Sequence, residues 1–389
     1  MRANGESSSR LPELALAVAL FVAAWALLHV GFWERDQIVD TPVYERYGDA
    51  IAAGAVPYRD FEPEYPPLAL PVFAVPSWLE VDYRTGFEAL MLLCGAALVA
   101  LVALTPGITS PRLALAAGFP LLLGSVVLTR YDLWPAALTA AALAAFLSGR
   151  ERLAAGILGA AVAAKLYPAV LLPLLGIWLW RRRGRREALL AGAIFVGVLA
   201  VFVVPFLVAA PGGLADSLGR QLSRPLQIES LAAAGLIVLQ NTIGLDLVEM
   251  VGSHGSQNIG GIAGDLAGWL STATAAGVLV WLWVRFAHGE AEQERLVRYS
   301  AASLVAFVAL GKVLSPQFLI WLVPLVVLVR GRAPVLLAAA LVLTQLWFPY
   351  RYWDYARELD AAVAWIVLAR DLVLVALLVT LAREAPRSA

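Results

Sequence analysis

Residues 34–67 hold the densest group of side chains that could do chemistry. The stretch reads ERDQIVDTPVYERYGDAIAAGAVPYRDFEPEYPP, and it mixes tyrosines with three arginines and eight carboxylates. A carboxylate can accept the proton of an alcohol, and a tyrosine ring can pack against a sugar or a lipid headgroup. The pattern therefore predicts group transfer onto a hydroxyl at a membrane surface. The acidic residues are Glu34, Asp36, Asp40, Glu45, Asp49, Asp60, Glu62 and Glu64.

Asp40 is the candidate general base. It stands between the first apolar run and a predicted short helix, which would hold its carboxylate near the membrane plane. A general base at this depth would take the proton of the acceptor hydroxyl, which contributes about 10² to 10⁴ in rate. Two alternatives stay open: Asp40 could only cap the helix, and Asp60, Glu62 and Glu64 are rival bases.

Four basic residues fall where predicted helices reach the outer face, against the usual inward bias of positive charge. Such placement needs a counter-charge, and a polyprenyl phosphate is one candidate, because fixed cations would stabilise the departing phosphate as a glycosidic bond breaks. The alternatives are local pairing, of Arg130 with Asp132 or Arg224 with Glu229, and a lysine that reaches along the interface. The four residues are Lys165, which is favoured because it lies in a predicted turn, Arg130, Arg224 and Lys312.

The composition indicates an all-α polytopic membrane protein. Of the 389 residues 61% are hydrophobic and only 15% are charged, and the mean hydropathy is +0.77. Apolar runs recur throughout, and the first, Leu14 to Trp33, is long enough to cross about 30 Å of hydrocarbon. We interpret it as an uncleaved first helix.

Charge and cysteine content exclude several other classes. The formal net charge is zero, which gives no argument for a nucleic-acid partner. Cys94 is the only cysteine and lies in an apolar run, so packing is expected there. Three histidines without a Cys/His cluster offer no zinc site.

Ten membrane crossings satisfy the apolar lengths and keep most arginines on the cytoplasmic side, with both termini inside. The acidic loop 34–85 then faces outside. The crossings are predicted at 14–33, 86–104, 113–129, 133–148, 187–210, 265–287, 298–313, 317–330, 333–349 and 361–382.

The loops complete a single predicted domain over 1–389. Residues 153–180 lie between two arginine clusters and are nearly all apolar, so we expect a reentrant helical hairpin that turns near Lys165-Leu166-Tyr167-Pro168. A short amphipathic helix is expected from Thr41 to Gly54, and residues 65–80 should dip into the interface. A second outer loop covers 211–264. Arg370-Asp371 in the last span is interpreted as structural.

Five short motifs, in this order along the chain, resemble those of a known family. The chain resembles the GT-C membrane glycosyltransferases, and more closely glycosyltransferase family 87, the actinobacterial polyprenyl-phosphate-mannose-dependent mannosyltransferases and their relatives. The motifs are Asp40-Thr41-Pro42-Val43-Tyr44, GAVPY at 54–58, EYPPL at 64–68, KLYP at 165–168 and KVLSPQFLIW at 312–321.

The resemblance implies transfer of a hexose, mannose being one candidate, from a polyprenyl-phosphate donor to a glycolipid or glycan, with inversion. The reaction would take place on the outer side of the cytoplasmic membrane. Asp40 would be the catalytic aspartate. No cofactor is expected, and the metal requirement stays open because Thr41 follows Asp40 where many relatives have a second acidic residue. Sugar or acceptor contacts are expected from Tyr44, Tyr58, Glu64, Tyr65, Tyr167 and Gln317.

Two other classes of function stay open. A lipid or solute transporter would place its ionisable residues near the bilayer midplane, often within inverted repeats. Here the charges gather at one face and no internal repeat is visible. A noncatalytic scaffold for envelope assembly would lose no product when the acidic loop is neutralised.

Overall fold

The computed structural model describes residues 3–34 and 38–383. Arg35 and Asp36 of the acidic loop lie outside the described residues, as do Arg2 and Arg387, which contributed to the predicted orientation. Helices account for 75% of the chain, and the protein is an all-α polytopic membrane protein, as the composition predicted.

Eighteen α-helices are present in the described part of the chain. In chain order they are α1 (Ala3–Leu27), α2 (Thr41–Ala52), α3 (Leu70–Ser77), α4 (Tyr83–Leu104), α5 (Ser110–Leu123), α6 (Val126–Thr129), α7 (Leu133–Leu147), α8 (Glu151–Ala164), α9 (Leu172–Arg183), α10 (Arg185–Ala209), α11 (Pro211–Ser223), α12 (Leu231–Ile243), α13 (Gly261–His288), α14 (Gln293–Leu310), α15 (Phe318–Val326), α16 (Ala333–Gln345), α17 (Tyr352–Glu358) and α18 (Ala361–Ala382).

The chain divides into two compact units, of which the first comprises Met1–Ala169 and Arg183–Gln221. In this unit α1 packs against α4 and α5, and a row of neighbours runs from α4 through α7 and α8 to α10. Gly159 permits the contact between α8 and α10, because a Cβ atom at this position would lie 2.6 Å from the carbonyl oxygen of Phe195. The row fixes the ends of α7 and α8, which carry the charged residues described below.

The second unit comprises Val170–Arg182 and Leu222–Ala389. Its helix α18 packs against α12, α14 and α16. A small antiparallel sheet precedes α13, with strands β1 (Leu226–Gln227), β2 (Glu249–Ser253) and β3 (Ser256–Gly260) in the order β1-β3-β2. The sequence did not predict these strands, because they are short and polar and lack an alternating apolar face.

Each of the ten predicted crossings falls on a helix. Within the described ranges, however, only four helices are long and apolar enough to cross a membrane: α4, α10, α13 and α18. Breaks at glycine and proline shorten some of the others. In the predicted crossing 113–129, helix α5 ends at Leu123. Gly124, which follows it, has a positive φ of 82°, and Pro120 lies in the last turn of the helix.

The predicted loop elements are present as helices. The surface helix expected from Thr41 is α2, and the proline-rich stretch 65–80 forms a short 3-10 turn followed by α3. At the expected hairpin turn α8 ends at Ala164, Lys165 is extended, and a 3-10 turn runs over Tyr167–Leu171. The reentrant arrangement of the two limbs stays a prediction.

Candidate active site

Asp40 immediately precedes α2, and its carboxylate does not cap the helix. Its backbone carbonyl accepts hydrogen bonds from the amides of Val43 at 2.8 Å and Tyr44 at 3.2 Å. Its side chain makes no capping hydrogen bond to the described residues of the helix. The alternative in which Asp40 only caps the helix therefore fails, and the carboxylate is directed elsewhere.

The carboxylate of Asp40 contacts Arg130. The Arg130 Nε atom lies 3.2 Å from Asp40 Oδ2, with the arginine side chain 6% exposed and the aspartate side chain 34% exposed. The Nε–H does not meet hydrogen-bond geometry, so the contact is an ion pair held by charge. Arg130 thus pairs with Asp40, a partner that the sequence did not suggest. Asp40 is the member of the pair that a ligand can reach.

Lys165 contacts Asp132 in a second ion pair. Its Nζ atom lies 2.6 Å from Asp132 Oδ1, and the lysine side chain is 17% exposed while the aspartate is 1% exposed. The same ammonium lies 4.5 Å from the ring centroid of Tyr131, a distance that allows a cation–π attraction. The sequence analysis named Lys165 as a candidate phosphate contact, but it considered Asp132 only as a partner of Arg130.

One cluster of aromatic rings supports both ion pairs. Tyr44 stacks on Phe73 with ring centroids 4.5 Å apart, and the Tyr131 ring lies 5.8 Å from that of Tyr44 and 5.0 Å from that of Tyr65. The Tyr44 hydroxyl donates to Asp40 Oδ2 at 3.4 Å. Burial, the neighbouring Tyr65 and the Asp40 carboxylate raise the pKa of Tyr44 well above its usual value. Tyr44 therefore stays protonated and remains a donor to Asp40.

Two of the rival carboxylates, those of Asp60 and Glu62, contact arginines at the surface of the same unit. Asp60 accepts hydrogen bonds from Arg59 and from the amide of Val56, and these bonds lower its pKa to about 2. Glu62 pairs with Arg220 at 2.5 Å. A carboxylate with a lowered pKa is a weaker base, which counts against Asp60 as the general base.

Three predicted sugar contacts are buried, and their hydroxyls contact protein groups: Tyr44, described above, Tyr58 and Tyr167. Tyr58 is 3% exposed, and its hydroxyl donates to the carbonyl of Tyr65 at 2.6 Å. Tyr167 is 2% exposed, and its hydroxyl lies 3.0 Å from Thr139 Oγ1. All three tyrosines pack inside the first unit, and their roles as sugar contacts stay predictions. Tyr65 and Glu64 are half-buried, and their roles stay predictions.

The remaining predicted residues lie in the second unit. Arg224 donates from Nη2 to the carbonyl of His254 at 2.9 Å, and Lys312 donates from Nζ to the carbonyl of Leu222 at 2.9 Å. Gln317 is half-buried at the start of α15. The structure thus brings Asp40, Arg130 and Lys165 together in one unit, and the phosphate-binding roles of Arg224 and Lys312 stay predictions.

A metal site is the other arrangement that acidic residues can form. Throughout residues 3–34 and 38–383, no three His, Cys, Asp or Glu side chains come together in a way that could hold an ion. The two carboxylates of the site, Asp40 and Asp132, each contact a cationic side chain.

The fold and the site define a polytopic membrane protein that presents a carboxylate and two cations on one aromatic cluster. The model of glycosyltransferase family 87 matches residues 64–316, and the chain belongs to this family. It is therefore a membrane glycosyltransferase, as its resemblance to this family implied. A comparison with curated proteins gives no match.

The matched range does not cover the whole site. It includes Arg130, Asp132 and Lys165, together with Arg224 and Lys312 of the second unit. Asp40, Tyr44 and Tyr58 precede it, and Gln317 follows its last residue. The assignment of Asp40 therefore rests on its ion pair with Arg130, which lies within the range.

Proposed function

We propose that the protein transfers a hexose, with mannose as the first sugar to test, from a polyprenyl-phosphate donor to a hydroxyl of a glycolipid or glycan. Transfer takes place on the extracytoplasmic side of the cytoplasmic membrane. The observation that carries this proposal is the ion pair between Asp40 and Arg130, in a chain of glycosyltransferase family 87. It combines a reachable carboxylate with a buried cation.

Asp40 acts as the general base. Its side chain is 34% exposed, so an acceptor hydroxyl can approach it, and it makes no capping hydrogen bond to the described residues of α2. The contacts with Arg130 and Tyr44 fix Oδ2. A positioned base of this kind contributes about 10² to 10⁴ in rate.

The reaction is a single displacement. Asp40 accepts the proton of the acceptor hydroxyl while the hydroxyl oxygen attacks the anomeric carbon. The bond between that carbon and the phosphate oxygen breaks, and its electron pair leaves with the polyprenyl phosphate. The configuration at the anomeric carbon is inverted because attack and departure occur on opposite faces.

Cations stabilise the phosphate as it gains charge. Lys165 is proposed to contact it because its ammonium is partly exposed at the end of α8. Arg130 contributes a permanent positive charge, since guanidinium is not deprotonated in proteins. Fixed charges of this kind act most strongly where a charge develops in the transition state. Arg224 and Lys312 are proposed as further phosphate contacts, and Glu64, Tyr65 and Gln317 as contacts to sugar or acceptor.

A donor screen tests the proposal. Purified protein in phospholipid nanodiscs is incubated with radiolabelled polyprenyl-phosphate hexoses and a membrane lipid extract, and labelled lipid products are separated. We expect a new glycolipid from the wild type and none from Asp40→Asn, with Asp60→Asn as an active control. Absence of product with every hexose would reject the donor class. A labelled donor that crosses a liposome membrane without forming product would instead indicate a transporter.

A further inference from the structure

We propose that Asp132 is a positioning residue, which holds the Lys165 ammonium in the place where the donor phosphate binds. This inference rests on the proposed function, because it takes Lys165 as a phosphate contact. Asp132 itself is 1% exposed, so it acts on the substrate only through the lysine.

The first argument is the asymmetry of the pair. Asp132 lies almost completely inside the protein, whereas Lys165 keeps 17% of its side chain exposed. A buried carboxylate is costly unless a partner contacts it. The ammonium has three N–H donors, so it can contact Asp132 from inside while its outer side approaches a ligand.

The second argument is that both backbones are already fixed. Asp132 immediately precedes α7, and Lys165 immediately follows α8, and these two helices pack against each other. The Lys165 amide donates to the carbonyl of Ala161 at 3.0 Å, and the Tyr131 hydroxyl donates to that of Ala164 at 3.4 Å. What is left variable is the long lysine side chain, and the carboxylate selects one arrangement of it.

The third argument concerns the use of the Asp132 side chain. It occupies the first position before a helix, where aspartate commonly caps, yet it makes no capping hydrogen bond to the described residues of α7. Its Oδ1 atom instead lies 2.6 Å from Lys165 Nζ. The Asp132 carboxylate thus contacts the lysine and does not cap the helix.

Positioning differs from simple structural support in its kinetic signature. If Asp132 acts through Lys165, substitution of Asp132 should not lower the transfer rate any further in a variant that already lacks the lysine. A structural ion pair would instead lower thermal stability, and activity would follow the folded fraction. A displacement of about 1 Å at a positioned group costs about 100-fold in rate.

The experiment is a double-mutant cycle on the transfer reaction. Asp132→Asn, Lys165→Gln and the double variant are compared with the wild type for kcat and donor KM, and the thermal unfolding of each is recorded. We expect Asp132→Asn to lower kcat/KM by about 100-fold, and the double variant to match Lys165→Gln within about twofold. Losses in the two single variants that multiply in the double variant would overturn the proposal.

A second variant keeps the test independent of folding. Asp132→Glu retains the charge pair but moves the carboxylate by one methylene, so the ammonium is displaced while the buried charge keeps its partner. We expect a folded protein with reduced kcat/KM. Wild-type kinetics in Asp132→Glu, or activity that only tracks the folded fraction, would overturn the proposal. Glu187→Gln, which breaks the exposed pair between Arg152 and Glu187, is the matched control and should keep full activity.

Failure of the proposed function gives a different result. In that case the wild type forms no product from any polyprenyl-phosphate hexose, and binding replaces kinetics as the readout. The probe is unlabelled polyprenyl monophosphate in phosphatidylcholine nanodiscs, measured by the shift in unfolding temperature. Positioning predicts a smaller shift for Asp132→Glu than for the wild type, and an equal shift would reject it.

Discussion

Each unit contains an ion pair between an arginine and an aspartate, and the two pairs differ in solvent exposure. The first unit has Asp40 with Arg130, and the second has Arg370 with Asp371. Asp40 is 34% exposed beside its arginine, whereas Arg370 and Asp371 are both 0% exposed, with Nε 2.6 Å from Oδ1. An open pair leaves room for a ligand at its carboxylate. A closed pair can only hold parts of the protein together.

The closed pair has a clear structural task. Arg370 donates from Nη2 to the carbonyl of Glu229 at 2.7 Å and lies 6.0 Å from the ring of Trp347. Tyr355 donates to the neighbouring carbonyl of Ile228 at 2.7 Å. Arg370 attaches the segment before α12 to α18, and Tyr355 attaches it to α17. The sequence predicted a structural role for Arg370-Asp371 but left open whether the two residues pair directly.

The largest effect on stability is expected when one residue of the buried pair is replaced. Arg370→Met leaves the Asp371 carboxylate buried without its partner, which should lower the free energy of unfolding by about 3–5 kcal/mol. Unfolding by sodium dodecyl sulfate in mixed micelles measures it. The double variant Arg370→Met/Asp371→Leu removes both charges and should recover most of the loss. Equal stability of the single variant and the wild type would remove the distinction between the two pairs.

A smaller effect is expected from the close contact between α8 and α10. Gly159→Ala places a methyl group against the carbonyl of Phe195, and overpacking of this kind costs about 1–3 kcal/mol. Gly156→Ala is the matched control, because its methyl group would meet Ile194 Cγ2 at an ordinary 3.5 Å. Thermal unfolding should separate the two variants. Equal losses in both would show that the close approach of α8 and α10 is not required.

The hydroxyl that contacts Asp40 should have a modest effect on catalysis. Tyr44→Phe removes the donor 3.4 Å from Asp40 Oδ2 and keeps the ring stack. The loss of one such hydrogen bond is worth about 0.5–1.5 kcal/mol, so kcat should fall by a few-fold. Tyr83→Phe, which removes a buried hydroxyl that donates to Phe73, is the control and should leave kcat unchanged. A full-rate Tyr44→Phe would show that the base needs no such contact.

The smallest effect is expected where both members of an ion pair are exposed. Arg152 and Glu187 lie 2.8 Å apart at 60% and 33% exposure. Exposed pairs contribute little to stability because solvent screens them, so Glu187→Gln should unfold at nearly the wild-type temperature. A loss as large as that of Arg370→Met would show that exposure does not rank these pairs.

The helices were predictable from the sequence, but the partners of the charged residues were not. Apolar length places a helix at each predicted crossing, and the spacing from Thr41 to Gly54 predicts α2. Arg130 and Asp132 are two residues apart, so their sequence positions suggested a local pair. Each of the two side chains forms an ion pair with a residue from a distant segment, Arg130 with Asp40 and Asp132 with Lys165. Such pairing depends on how the helices pack, which periodicity does not encode.

The transfer rate of Asp40→Asn tests the central claim most directly. The variant keeps the size of the side chain and removes the charge that would accept the proton, so we expect the rate of product formation per folded protein to fall by about 10² to 10⁴ with donor affinity unchanged. The unfolding temperature should fall, because the buried Arg130 loses its anionic partner. Radiolabelled donor at saturating concentration gives the rate, and equilibrium binding of the same donor gives the affinity. Turnover at the wild-type rate would contradict the assignment of Asp40 as the base.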